Sequence, residues 1–153
     1  MSTTQLFEDI TFTENESYER IIDDLITKNY SIVEDFFTPE EVSTLRESLL
    51  IKYEEDSFKK SAIGNYTNQE IDKTIRGDFI LWIDEKKEEP TEQLFFTKVN
   101  SLVSYLNKTC FLGILTKEFH YAVYPTGTFY KRHLDTFQND DRRKLSMVFY
   151  LNE

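Results

Sequence analysis

Three strand-like runs follow one another in the last quarter of the chain, and the helical patterns all lie upstream of them. The runs are "KEFHYAVYP", "TFYKRHLD" and "KLSMVFYLN", starting at Lys117, Thr128 and Lys144. Each is rich in aromatic and β-branched residues and is bounded by turn formers. Helices first and strands afterwards is the order of an α+β fold with a mainly antiparallel sheet.

The upstream segments carry their own signals. "YERIIDDLITKNY" puts Tyr18, Ile21, Ile22, Leu25 and Ile26 on one helical face. "YSIVEDFF" alternates enough to predict a strand. "TPEEVSTLRESLLIKY" opens with a helix start, in which Thr38 caps, Pro39 takes the first position and Glu41 reaches back as in a capping box. Its apolar face is Val42, Leu45, Leu49 and Tyr53. "SFKKSAIGNYTNQEIDKTIRGD" has no period and predicts a long loop, a length that in compact domains often serves as a lid. "DFILWID" predicts a strand, "EKKEEP" a charged turn, and "TEQLFFTKVNSLVSYLNKT" a helix with Phe95, Val99, Leu102 and Leu106 inward. Residues 1–15 are expected to be frayed and residues 16–153 to form one domain.

Charge limits what such a domain can bind. The net charge is −10, against the basic face that nucleic acid binding requires. From Lys117 onward the balance differs, with six basic residues (Lys117, Lys131, Arg132, Arg142, Arg143, Lys144) against five acidic ones (Glu118, Asp135, Asp140, Asp141, Glu153). That would suit a mildly positive pocket for a small anion. A single cysteine, Cys110, fits a reducing cytosol. No apolar run is long enough for a membrane span, and the acidic start "MSTTQLFEDITFTENE" is not a secretory signal. The expectation is a cytoplasmic protein with no nucleic acid and no membrane partner.

The chain holds only two histidines, and one of them, His133, lies two residues before Asp135. On a strand such side chains leave the same face, roughly 7 Å apart. An imidazole and a carboxylate can then converge on one Fe(II), Mn(II) or Zn(II) ion. Read alone, the pair fits equally a surface position, or an Asp135 that pairs with a neighbouring arginine.

The surroundings narrow this. "YPTGTFYKRHLD" followed by "RKLSMVFYLN" resembles the 2-oxoglutarate- and Fe(II)-dependent dioxygenases, in their prolyl 4-hydroxylase-like branch and nearest to hypoxia-type prolyl hydroxylases and their bacterial relatives. "IRGDFILWID" at Ile75–Asp84 is similar to the segment these enzymes carry ahead of their barrel. "YSIVEDFFTPEEVSTLRESL" is similar to their N-terminal support. The resemblance covers about residues 18–153. It implies support helices packed on a partial double-stranded β-helix, or jelly-roll barrel. It implies an oxidoreductase that uses Fe(II), 2-oxoglutarate and O₂, with ascorbate as supporting reductant, to hydroxylate a proline in a peptide or protein substrate.

By the same resemblance His133 and Asp135 are catalytic iron ligands, and Tyr124 and Tyr150 contact the cosubstrate. Arg143 stands at the mouth of the site, and Arg76 and Asp78 belong to the entrance segment, all three as candidate substrate contacts. Trp82 and Tyr130 are expected to pack, and Lys131, on the His133 face, has no assigned role. His120, four residues before Tyr124 and on the same face, is expected to be a core histidine rather than a third ligand.

The resemblance also implies a later iron-binding histidine and a basic partner for the 2-oxoglutarate carboxylate. Neither occurs in these 153 residues, so a chain lacking the C-terminal part of the barrel is expected, binding iron weakly and not turning over alone. An open barrel leaves a strand edge that a second chain or a second copy could pair. The competing readings are a catalytically dead remnant that serves as a protein-interaction module, and a generic acidic α+β domain in which His133 and Asp135 are incidental.

Overall fold

The computed structural model describes residues 13–60, 77–87, 89–135 and 142–152. It falls into two units, Met1–Phe36 and Phe37–Glu153. The first holds helix α1 (Glu16–Lys28), which starts where the Asn15 side chain accepts the Tyr18 N–H and stops at Asn29 in the left-handed region, φ 66°. Ile21 and Ile22 are its buried positions. Past the helix, Ser31 donates to the Asp24 carboxylate at 3.0 Å. The strand expected at "YSIVEDFF" is absent. A strand exists only with a partner, and none pairs with residues 30–37 among the described residues.

The second unit runs α2 (Pro39–Glu54), β1 (Lys59–Lys60), β2 (Phe79–Ile83), α3 (Pro90–Cys110) and β3 (Phe119–Val123). The capping box at Thr38 forms as its sequence directs. Thr38 Oγ1 accepts the Glu41 N–H at 3.2 Å, and Glu41 Oε1 accepts the Thr38 N–H at 3.1 Å. The same Glu41 oxygen receives Lys98 Nζ from α3 at 2.6 Å. Lys98 and the bonds from Thr38 hold the Glu41 carboxyl below its ordinary range. Thr38→Ala is expected to cost about 1 kcal/mol, measured as a lower urea midpoint with an unchanged slope.

The sheet is antiparallel, in the order β1-β2-β3. Phe79 faces Val123, Leu81 faces Tyr121 and Ile83 faces Phe119, while Trp82 lies opposite His120. Strand alternation sends the first set toward the helices and the second away from them. On the helix side Phe95 of α3 stacks on Phe37 at 5.9 Å and meets Phe119 and Phe149 edge-on at 5.0 and 5.2 Å. Tyr53 of α2 meets Phe58 at 5.5 Å and Phe79 at 6.0 Å. The four expected inward positions of α3 are buried, together with Phe96 and Tyr105. On the other side Trp82 is 58% exposed, and His120 is exposed as well, its ring centroid 4.9 Å away from Trp82. His120 was expected in the core and is not there, while Trp82, expected to pack, packs on His120. Their register places them on the face that the helices do not cover.

The fold is therefore α+β with a small antiparallel sheet. Neither "TFYKRHLD" nor "KLSMVFYLN" forms a strand among the described residues. The second run nevertheless alternates, with Leu145, Met147, Phe149 and Leu151 more buried than Ser146, Val148, Tyr150 and Asn152. The expected lid overlaps residues 61–76, which lie outside the described residues. No described helix is long and apolar enough to cross a membrane.

One charged cluster sits inside this unit. Lys52 of α2 bonds both oxygens of Glu89 at 2.6 Å and approaches Glu92 at 3.5 Å. Burial pushes the Glu92 carboxyl up, against the pull of Lys52. The Lys52 bond holds Glu89 down. Burial works against the Lys52 ammonium, but its two carboxylate partners together raise it. The Tyr121 hydroxyl is buried, with Ser48 its near polar neighbour. Burial and the Glu92 charge push this phenol up to about 12.

Candidate functional site

The end of β3 feeds a tight turn that delivers the histidine segment. Tyr124 follows the strand, and the Thr128 N–H and hydroxyl both donate to the Pro125 carbonyl, at 2.9 and 2.7 Å. Gly127 sits at φ 83°, the third-position conformation of a type II turn and one that suits glycine. The chain is next caught from the side, where the Gly77 N–H donates to the Phe129 carbonyl at 2.9 Å. The approach is close: a methyl on Gly77 would lie 2.9 Å from Thr128 Cβ. That contact ties the start of β2 to the segment leading into His133.

After a single β-bridge at Tyr130 the backbone from Lys131 to Asp135 is irregular, so the same-face argument from strand geometry does not apply. The pair converges by another route. His133 Nδ1 lies 2.8 Å from the Lys131 carbonyl. A carbonyl can only accept, so Nδ1 carries a proton, and in the neutral ring Nε2 then presents its lone pair. Nε2 is 3.2 Å from Asp135 Oδ1. With the ring neutral, Nε2 and the carboxylate oxygen are two electron-rich atoms that a metal ion, like a proton, can join, and a backbone carbonyl on the other ring nitrogen is the usual support of a metal-binding histidine. The His133 and Asp135 side chains are 38% and 49% exposed, open to a ligand from solvent.

Arg143 Nη1 donates to the Asp135 carbonyl at 2.6 Å, which places that candidate substrate contact beside the pair and makes it a clamp on the backbone. Asp78 is 2% exposed, a buried carboxylate just before β2. Arg76 lies outside the described residues. Tyr124 is 45% exposed just past β3, and Tyr150 is 81% exposed on the outward side of its alternating segment. Among the described residues no group of three or more His, Cys, Asp or Glu side chains is placed to hold a metal.

Three participants are not assigned by the sequence: the Lys131 carbonyl, Gly77, and Tyr130, whose ring stacks on His133 with centroids 3.7 Å apart and planes 19° apart. A glycine just before a strand does signal a close backbone approach, and that signal fits Gly77. Nothing in the residue types points to the carbonyl or to the stack.

No family model matches the sequence. The structure is similar to the crystal structure of a Pseudomonas putida prolyl-4-hydroxylase, with a TM-score of 0.70 and 32% sequence identity, covering 82% of this chain and 62% of that one. The chain thus has a prolyl hydroxylase-like fold and spans 62% of the length of that protein.

Proposed function

We propose that the chain is a prolyl 4-hydroxylase-like dioxygenase, or the N-terminal part of one, that uses Fe(II) and 2-oxoglutarate. The observation that carries this reading is the His133–Asp135 pair, 3.2 Å apart with Nδ1 already bonded to a carbonyl, in a chain 32% identical to a prolyl-4-hydroxylase. One nitrogen and one carboxylate oxygen suit Fe(II) as two members of a two-histidine, one-carboxylate set. Two donors hold a divalent ion weakly, which agrees with the expectation of poor turnover by these residues alone. The architecture proposed for the whole enzyme is the jelly-roll barrel, begun here by β2, β3 and the alternating segment.

In this reading His133 Nε2 and Asp135 bind the metal, and the Lys131 carbonyl keeps the His133 proton on Nδ1. The Arg143 guanidinium holds the Asp135 backbone at the mouth of the site. Tyr124 and Tyr150 offer hydroxyls to the cosubstrate carboxylates, and Arg76 and Asp78 belong to the approach of a prolyl substrate. Loaded with metal, 2-oxoglutarate and O₂, such a site oxidises an unactivated C–H of proline to C–OH. The residues described here bind and orient, which is what a protein contributes to cofactor chemistry.

The test is a Mn(II) titration followed by electron paramagnetic resonance, with Mn(II) standing in for Fe(II). Wild-type chain is expected to bind one ion, and His133→Ala to bind it at least about ten-fold more weakly. Equal binding by the two would overturn the metal reading. It would favour the interaction-module alternative.

A further inference from the structure

We propose that Tyr130 is a positioning residue for His133, held in place through the backbone contact between Gly77 and Phe129. The inference rests on the reading that His133 binds a metal, and it adds what orients that ligand. An imidazole needs two restraints to be fixed. A hydrogen bond at Nδ1 limits rotation within the ring plane but leaves the ring free to hinge about that bond. Contact across the ring face removes the hinge.

His133 has both restraints. The Lys131 carbonyl takes Nδ1–H at 2.8 Å, and the Tyr130 ring lies across the imidazole at 3.7 Å and 19°. The His133 side chain is 38% exposed, so part of it is open to solvent and the stacked ring covers one face. Tyr130 is itself half-buried. The residue before it, Phe129, is anchored by the Gly77 N–H at 2.9 Å, and Thr128 by its two bonds to the Pro125 carbonyl. The chain of restraint runs from the start of β2, through Gly77 and Phe129, to Tyr130 and then to the imidazole. A Gly77→Ala methyl would meet Thr128 Cβ at 2.9 Å, and Thr128 cannot swing aside without losing its own bonds. The close approach at Gly77 thus bears on ligand geometry as well as on the sheet.

The role of Tyr130 is separable from that of a ligand. The stack needs the ring and not the hydroxyl, so Tyr130→Phe should keep it. Tyr130→Ala keeps both donors and the Lys131 carbonyl yet frees the hinge. Supports of this kind typically change metal affinity by about 10- to 100-fold.

The experiment combines NMR of the metal-free chain with the Mn(II) titration, on wild type, Tyr130→Ala, Tyr130→Phe and His133→Ala. Wild type and Tyr130→Phe are expected to show His133 ring protons shifted upfield by the stacked ring. Tyr130→Ala should lose that shift and bind Mn(II) about ten-fold more weakly. If the upfield shift is absent from wild type, the stack is not formed in solution and the proposal falls. If Tyr130→Ala loses the shift but binds Mn(II) as wild type does, the stack forms without positioning a ligand, and the proposal falls while the metal reading stands. If wild type and His133→Ala bind alike, the metal reading fails and takes the proposal with it.

Discussion

Phe95→Ala is expected to destabilise the chain by about 3–5 kcal/mol, the usual cost of emptying an aromatic from a close-packed core. Phe95 is 6% exposed and sits where three parts of the second unit meet. It stacks on Phe37 from the stretch before α2, meets Phe119 of β3 edge-on, and meets Phe149 of the alternating segment edge-on. Edge-to-face pairs add about 0.5–1.5 kcal/mol each beyond the area they bury. Removing one ring therefore removes several ring contacts and leaves a cavity bounded by other rings, which are stiff and collapse poorly. The effect is read as the loss of unfolding free energy in urea. Phe111→Ala is the control. That ring is 87% exposed, so its loss should change stability by less than about 0.5 kcal/mol. A Phe95→Ala loss as small as that of Phe111→Ala would mean that the aromatic cluster is not the core.

What could be read from the sequence divides along the line between local and non-local causes. The α2 start was legible because a capping box needs only Thr38, Pro39 and Glu41 within four residues. The inward face of α3 was legible at Phe95, Val99, Leu102 and Leu106 because the helical period is local. Phe96 and Tyr105 escaped that stripe because α3 is covered over a wider arc, Phe96 reaching Phe119 at 6.2 Å. Strands behaved differently. "DFILWID" and "KEFHYAVYP" do pair, as β2 and β3. "YSIVEDFF" and "TFYKRHLD" carry comparable patterns, yet among the described residues the first forms no strand and the second only a single bridge at Tyr130. Their residues allow pairing, but pairing needs a second strand, and no local pattern reports one.

The candidate site shows the same division. The spacing of His133 and Asp135 marked them as a pair, and they do converge, though on irregular backbone rather than on a strand face. The two groups that orient His133 were out of reach for different reasons. The Lys131 contact is made by a main-chain carbonyl, which every residue type possesses. The Tyr130 stack depends on how the chain bends between residues 130 and 133, after a turn at Gly127 and a lateral bond from Gly77. His120 was expected in the core as a residue of an internal strand, and its exposure, with that of Trp82 packed on it, follows from which side of the sheet the helices occupy.

Lys52→Met is expected to cost about 2 kcal/mol near pH 7 and much less near pH 4. Stranding a buried charge costs about 3–5 kcal/mol, and the figure is reduced here because Glu89 is 40% exposed and partly screened by solvent. The sign follows from each carboxylate in turn. Glu89 is held below its ordinary value by Lys52, so its contribution is present above about pH 4.5 and is lost as pH falls. The variant never has that contribution, so wild type descends toward it in acid. Glu92 is pushed up by burial, so its contribution is full below about pH 4.5 and is lost as pH rises through the folded value. Without Lys52 that folded value rises further and the loss at neutral pH deepens. Both carboxylates therefore widen the gap at pH 7 and narrow it at pH 4, measured by urea unfolding at the two values. Adding Glu92→Gln to Lys52→Met separates charge from packing. Recovery of most of the stability at pH 7 identifies a stranded carboxylate as the cause, and no recovery identifies altered packing where the Met thioether replaces the Lys52 stem. The distinction bears on the site. Lys52 and Glu92 link α2 to the first turn of α3 beside the buried hydroxyl of Tyr121 in β3, and β3 is the strand that leads, through the Pro125 turn, to Tyr130 and His133.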